Sequence, residues 1–393
     1  MNHLLKNVLL ASLFFGPAFS LLAQERPLPS SAGRDAGLPK ATDPTLWSVY
    51  KSIQIRLPAL VKEDTRAPAP FSHFEVLDLR PDTARIGNHT EISPYIVATR
   101  NRQLALAGQA APEIARYLND HFPGTGTGFT ALVVIRTFWV SDKEYTYNEV
   151  GDQGQVPGTP PRYWVIRLKA EIYAGKDNQY TPLKRFDSSV DMRLSTGNSE
   201  DFLTDSVLAA AGAYPQYSPY SRAGAGLASL LLEMVNSISQ MDISARWVQG
   251  RRLSMGDINT FNQSRLDLPI CMDDHLVRGV YRNFEEFKSN APSIKDFEIQ
   301  SDKKSSGVYL KDETGQSYLT HEVWGLCDGQ SVYVMLGGVL YRAWKEQKAY
   351  YVSGDLNLSW IQKPDVVNFN GAGRVVKSKA KVYCVDMDTG NIY

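Results

Sequence analysis

From Trp164 to Ile172 the chain alternates without a break: Trp164, Ile166, Leu168, Ala170 and Ile172 point to one side of an extended strand, Arg167, Lys169 and Glu171 to the other. One face of such a strand meets an apolar core and the other meets water. That is the pattern of an antiparallel sheet, because strands of a parallel sheet are covered on both faces and read as unbroken apolar runs. Neighbouring segments agree. Residues 183–194 supply an adjoining strand, Phe74, Val76, Leu77 and Leu79 form a shorter one closed by Pro81, and residues 132–140 are apolar enough to sit centrally.

Helices flank these strands. Pro112 and Glu113 open one, Ile114, Tyr117, Leu118 and Phe122 line its apolar side, and Pro123-Gly124 stops it. A longer helix runs from Ser221 to Gln240, with Leu227, Leu230, Leu231, Met234, Val235 and Ile238 in a stripe too wide for a coiled-coil seam. The order predicts an α+β fold in which an antiparallel sheet is covered by helices. Residues 242–268 are polar and read as a connector. Beyond Pro269 the pattern changes to short strands separated by turn signals, Asp312-Glu313-Thr314-Gly315, Asp328-Gly329 and Gly337-Gly338. A smaller mainly-β domain of hairpins follows, as a meander or small barrel. Asn283, with Glu286 as its capping-box partner, starts one short helix anchored by Phe284 and Phe287, and Asp388-Thr389-Gly390 turns a final strand pair.

Residues 2–23 carry a weakly basic start, an apolar core from Val8 to Phe15 that is too short to span a bilayer, and a Gly16-Pro17 break before Leu21-Leu22-Ala23. They read as a signal peptide cut after Ala23, with Ser20 as second choice. The expected layout is a leader at 1–23, a Pro/Ser/Gly-rich linker at 24–70 able to dock through Trp47 and Tyr50, an α+β domain at 71–241, the connector at 242–268 and the β domain at 269–393. The mature chain then works in the periplasm or outside the cell, with outer-membrane association as one variant. After the leader no run of about 18 apolar residues follows, so no transmembrane helix is expected.

Forty-two basic residues balance forty-two acidic ones. There is no global field to hold nucleic acid, and a partner must be recognised locally. Cys271, Cys327 and Cys384 are too few and too far apart for a disulfide framework; they allow one bridge with one thiol left over, or free thiols. With no CxxC pair, structural zinc is not expected, and nothing calls for a cofactor.

Two further stretches carry a likeness. Residues 74–87 (FEVLDLRPDTARIG), and residues 279–293 (GVYRNFEEFKSNAPS) with Val323-Trp324-Gly325-Leu326-Cys327-Asp328-Gly329, resemble uncharacterised exported protein families of Bacteroidetes-type bacteria. The likeness of the second part covers roughly residues 269–362. It implies location and domain division and brings no catalytic residues.

Candidates for chemistry each have a plainer reading. Asp78 and Arg80 share a strand face with Asp82 close by, as an anion or carbohydrate contact, or as an ion pair closing the strand end onto its loop. Asp273-Asp274-His275 offers metal-ligand types, but neighbours on an extended chain point apart, so a surface turn is the better reading. His321-Glu322 lacks the second histidine of a zincin helix, position 325 being Gly325, and it reads as strand. Tyr214, Tyr217 and Tyr220 on a proline-stiffened loop could stack on a sugar or pack on a protein, or could simply cover the start of the long helix. The resulting expectation is a non-catalytic cell-envelope protein that binds an envelope protein or glycan. The alternative is a secreted hydrolase acting on glycans or peptides through carboxylates such as Asp78, Asp82 or Asp273.

Overall fold

The computed structural model describes residues 52–58, 69–92, 99–126, 128–144, 162–195, 219–301, 306–312, 314–336, 338–354 and 381–392. Its first sheet is organised by two long strands, β5 (Thr130–Glu144) and β6 (Arg162–Lys176), paired antiparallel. β7 (Gln179–Ser195) returns along β6 through a two-residue turn in which Asp177 and Asn178 both have positive φ, 51° and 61°. Such a turn matches the strand twist and is tolerated by Asp and Asn. On the far side of β5 lie β2 (His73–Asp78) and β3 (Gly87–Ile92), both parallel to it. Next come β4 (Thr99–Leu106), antiparallel to β3, and β1 (Ser52–Ile55), parallel to β4.

The sheet is therefore mixed, where an antiparallel one was expected. Alternation along β6 reports only on β6, whose own neighbours are both antiparallel, and says nothing of pairings two strands away. The linker expectation also changes: Ser52–Ile55 is a sheet strand with Ile55 buried, while Trp47 and Tyr50 lie outside the described residues.

One face of the sheet carries α1 (Ala110–His121), α2 (Pro219–Ser239) and α3 (Ile243–Gln249). The apolar side of β6 from Trp164 to Ile172 joins Leu227, Leu231, Met234 and Ile238 of α2 and Ile114 and Leu118 of α1 in one core. Asn119 of α1 pairs with both the N–H and the C=O of Phe74, at 2.8 and 2.9 Å, and so occupies hydrogen-bonding groups at the edge of β2.

The other face is not wet. Lys169 is 6% and Glu171 3% exposed, against the expectation that these charges meet water. Part of that face is covered by α4 (Met255–Leu266), whose Ile258 packs on Leu132, Val134 and Tyr173. The polar segment read as a connector thus folds into α3, the two-residue strand β8 (Leu253–Ser254) and α4. Ser254 caps α4 by accepting from Asp257 N–H, and the Asp257 carboxylate accepts from Ser254 N–H, a complete capping box.

The rest of that face is covered by the C-terminal strands. After α5 (Pro269–Met272) come β9 (Gly279–Tyr281) and α6 (Phe284–Lys288). A three-stranded antiparallel sheet follows, made of β10 (Phe297–Ser301), β11 (Ser306–Lys311) and β12 (Ser317–Thr320). A six-stranded antiparallel sheet in the order β17-β16-β15-β14-β13-β9 adds β13 (Gly325–Cys327), β14 (Val332–Leu336), β15 (Val339–Glu346), β16 (Ala349–Gly354) and β17 (Lys381–Val385).

Strands β13 to β16 form the expected meander. Asp312 and Asp328 each accept backbone N–H bonds in the turns read from sequence, and Gly315, Gly329, Gly338 and Gly390 supply positive φ. Asn283 caps α6 through Glu286 N–H as expected, but the Glu286 carboxylate reaches Arg282 and Ser293 N–H instead of Asn283. His321 and Glu322 lie between β12 and β13, outside any strand. The described residues all fall within one compact unit, and no helix among them is long and apolar enough to cross a membrane.

One backbone contact governs how β2 and β3 share an edge of β5. Gly87, at φ +151°, faces Val140, and a Cβ there would lie 1.8 Å from Val140 O. Backbone cannot move aside as a side chain would. Gly87→Ala is therefore expected to lower stability by about 2 kcal/mol or more, read as a fall in urea midpoint; an unchanged midpoint would show that β3 does not need this approach.

Candidate functional site

The segment between β2 and β3 leaves the sheet. Asp78 faces Ile135 and Gly87 faces Val140, so nine steps of one edge lie against five of the other, and residues 79–86 loop outward. Arg80 holds that loop. Its Nε and one terminal nitrogen donate to both Asp78 oxygens at 2.8 and 2.7 Å, and its guanidinium also donates to Arg85 O at 2.6 Å and Thr83 O at 3.2 Å. The Asp78–Arg80 pair read from sequence is thus the clasp of a strand end, buried on both sides, with Arg80 over the Phe138 ring.

The tip of the loop meets the C-terminal sheet. Asp82 accepts from Arg85 at 3.1 Å and from Tyr351 Oη at 2.7 Å, and Arg85 pairs in bidentate fashion with Glu346 of β15. Asn88 donates to Val382 O. Around these contacts Trp139 packs with Ala349, Tyr351 and Val382. Burial pushes the Tyr351 hydroxyl well up from its ordinary value; the nearby Cys384 and Asp82 add to that, and Arg85 opposes it.

A second set of charges stands beside the first. The β5–β6 register skips at Arg136, between Ile135 and Thr137: Arg136 stays on the covered side with Leu132 and Val134, and the extra residue brings Thr137 and Trp139 to that side as well. There Arg136 pairs with Glu171 and, at 3.4 Å, with Asp388. Lys169 pairs with Asp386, and Arg265 of α4 with Asp388. Both aspartates sit on the turn after β17, where Asp386 Oδ1 accepts from Asp388 N–H at 3.0 Å and Oδ2 from Thr389 Oγ1 at 2.8 Å. Burial raises the Asp388 carboxyl from its ordinary value, with Arg136 opposing and Asp386 adding.

Between the two sets lies a cavity of about 40 Å³ bordered by Arg80, Arg136, Trp139, Cys384 and Asp386. Arg136 Nε and Trp139 Nε1 are buried there without a protein acceptor. Small-molecule sites span about 300–1,000 Å³, so this space is too small for an organic substrate. The charges hold the sheets together.

A hollow of ligand size occurs elsewhere. β8 pairs with β7 only at Gln179 and Tyr180, after which the chain turns into α4 and crosses the sheet. At that point β7 carries Pro182, which gives no N–H, and a register shift against Ile172/Tyr173. The strand edge and the helix part company there, leaving a groove of about 610 Å³, within the range of small-molecule sites, about 300–1,000 Å³. On the α4 side Tyr173, Leu253, Ile258 and Phe261 border it, Phe261 being 46% exposed, while Ile172 and Leu183 reach it from β6 and β7 with their side chains in the core of the opposite face. Arg185, Arg251 and Asp257 stand at its rim, with Arg251 acting on Asp257, and Lys184 borders it from the register position opposite Ile172. Its two carboxylates are committed: Glu171 to Arg136 and Tyr173 Oη, Asp257 to the Ser254 cap, whose hydrogen bonds lower its pKa. A hollow of about 520 Å³ on the other side of α4 is lined mainly by Asn259, Asn262, Gln263 and Ser264.

The structure does not bring the sequence-predicted residues together. Asp78 and Arg80 lie at the interface. Tyr220 belongs to the first turn of α2, half-buried with its ring 5.8 Å from His89 and 6.2 Å from Trp164, and so covers the core; Tyr214 and Tyr217 lie outside the described residues. Asp273 accepts from Asn290 at 3.2 Å on an exposed turn. Among the described residues no three candidate ligands cluster for a metal.

Cys271, Cys327 and Cys384 are unbridged. Burial pushes the Cys271 thiol up to about 11 and raises the other two as well, so all three stay protonated at neutral pH. Lys184, Arg251 and Phe261 were not legible as a group. The available signal was Ser254-x-x-Asp257, which marks a helix start inside the polar connector.

No family model matches the chain, and no curated protein does. Among solved structures, the crystal structure of protein XCC0632 from Xanthomonas campestris, family-model DUF330, aligns over 49% of this chain and 100% of its own, at 14% identity and a TM-score of 0.25. A likeness at that level carries no argument about fold or function.

Two outcomes follow from the interface. Asp386→Ala leaves buried Lys169 with only a 3.8 Å contact to the half-exposed Asp187, and is expected to cost about 3 kcal/mol, whereas Lys169→Met with Asp386→Leu recovers most of that loss. Urea unfolding of the four-member cycle reads it, and a single-mutant cost within error of zero would sink the assignment. The second concerns alkali. Tyr351 keeps its proton in the fold after the unfolded chain has lost it near its ordinary value of 10.0, as do Tyr281 and Tyr350. Their contribution is complete below about pH 10 and is lost as pH rises through the folded values. Melting temperature is expected to fall above that pH, less steeply in Tyr351→Phe; equal slopes would contradict the burial.

Proposed function

We propose that this chain is an exported, non-catalytic binding protein of the cell envelope, and that the groove between β7 and α4 holds its ligand. One observation carries the reading: the hollow beside α4, bordered by Tyr173, Leu253 and the exposed Phe261, has ligand dimensions, and both its carboxylates are bound up in structural contacts. General acid–base chemistry needs a carboxyl free to exchange a proton with substrate. The expected hydrolase candidates do not meet that need, since Asp78 clasps Arg80, and Asp82 is shared by Arg85 and Tyr351. The leader-like residues 2–23 support work outside the cytoplasm. In this reading residues 71–241 and 269–393 act as two domains clamped by charge, and the partner offers an apolar group, whether it belongs to an envelope protein, a glycan conjugate or a small molecule.

Nile red, a neutral apolar dye that brightens out of water, tests the site. Mature protein recovered from the exported fraction, with its N-terminus near Gln24, is expected to bind the dye saturably. Phe261→Ser, at an exposed position on α4, is expected to weaken binding about tenfold or more, in line with the loss of one large apolar contact. Failure of the dye to bind, or equal binding by the variant, removes the groove as the ligand site.

A further inference from the structure

The hollow on the other side of α4 differs from the groove in its chemistry. Along the helix, Asn259, Gln263 and Leu266 follow at i, i+4 and i+7 and form one wall, while Ile258 and Asn262 turn down to the sheet, each 1% exposed. Leu79, just beyond β2, borders the hollow from the sheet side and packs with Ile258. Thr260, on the outward ridge of the helix, borders this hollow and the groove alike. Among the described residues around the hollow Asp267 alone is charged, and it is held by Lys348 at 2.6 Å and by Gln263 at 2.9 Å. The side chains of Asn259 and Thr260 are exposed and make no hydrogen bond within the fold, and Gln263 keeps its amide oxygen open. A neutral wall of amides thus stands over an apolar floor of Leu79 and Leu266.

These features narrow the occupant. An ion finds no open countercharge here, and a wholly apolar body would strip water from the amides without replacing its hydrogen bonds. An added peptide strand needs a free sheet edge, yet one edge of β2 is paired with β5 and Asn119 occupies the N–H and C=O of Phe74 on the other. A side-chain amide sets an acceptor beside two donors, a pattern that another amide or a hydroxyl group can complete. We propose that this hollow binds an uncharged N-acetylated saccharide, with an acetamido group against Asn259 and Gln263, its methyl on Leu79 and Leu266, and a ring hydroxyl at Thr260. The volume, about 520 Å³, admits a disaccharide. Each contact is a neutral hydrogen bond made in competition with water, so affinity is modest and the acetamido group supplies the selection. No formal charge takes part, so salt leaves binding unchanged. The site is separate from the groove, and neither reading rests on the other.

The probe is N,N′-diacetylchitobiose, with cellobiose as the same disaccharide bearing hydroxyls in place of its acetamido groups. Calorimetric titration of the protein is expected to show one saturable site for the acetylated sugar, with the same affinity at raised salt, and binding of cellobiose weaker by about fivefold or more. Asn259→Ala/Gln263→Ala, which suits a helix, is expected to weaken N,N′-diacetylchitobiose by about tenfold or more while leaving Nile red binding intact. Phe261→Ser is expected to do the reverse. Circular dichroism melting confirms that the variants fold; if the double variant does not, Asn259→Ala alone is used. Absence of saturable binding by the acetylated sugar, equal binding of cellobiose, marked loss at raised salt, or full binding by the amide variant each overturns the proposal. Nile red binding, which the amide variant spares, then decides the groove reading by itself.

Discussion

Charge pairing across a covered sheet face is the constraint on which the rest of this structure depends. Lys169 and Glu171 are placed by the β6 alternation on a face that the C-terminal strands and α4 then bury. A buried charge without a partner costs several kcal/mol, about enough to unfold a marginal domain. The cover must therefore carry the opposite charges at matching positions. Asp386 and Asp388 on the turn after β17, with Arg136 and Arg265 between, meet that demand. Such a face accepts one cover in one register, since any slip of the β17 turn strands a charge.

Two irregularities of the backbone make the match. The outward loop at 79–86 brings Asp82 and Arg85 to Tyr351 and Glu346, and the bulge at Arg136 switches the alternation of β5 so that Trp139 meets Tyr351 on the covered side. Both occur along β5, the strand that joins the parallel and antiparallel parts of the sheet. The same logic shapes the groove. Where β8 ends and β7 is disturbed by Pro182 and its shifted register, α4 can no longer follow the sheet edge, and a groove stays open with Phe261 exposed at it. Site and scaffold thus arise from departures from regular pairing.

The legible parts of the fold were those written in local pattern. The apolar stripe from Leu227 to Ile238, the turns at Asp312 and Asp328, and the cap at Asn283 all lie where periodicity and turn chemistry put them, because each depends on residues a few positions apart. The Asp78–Arg80 clasp is of the same kind, with one residue between charge and countercharge. The candidate groove was not legible: Lys184 and Phe261 come from segments read separately as a strand and a connector. Polar composition at 242–268 hid α4, although Ser254-x-x-Asp257 marks its start.

By itself the sequence determined which segments alternate, where helices begin and end, and which side of β6 is apolar. These follow from the 2.0 and 3.6 residue periods and need no knowledge of distant chain. Tertiary structure alone decided that β2 and β3 run parallel to β5, that the charged side of β6 is dry, and that a groove opens beside β7. Lys169 and Asp386 are separated by 217 positions. A lone lysine on a strand reads as solvent-facing until the chain folds back and supplies the carboxylate that lets it be buried.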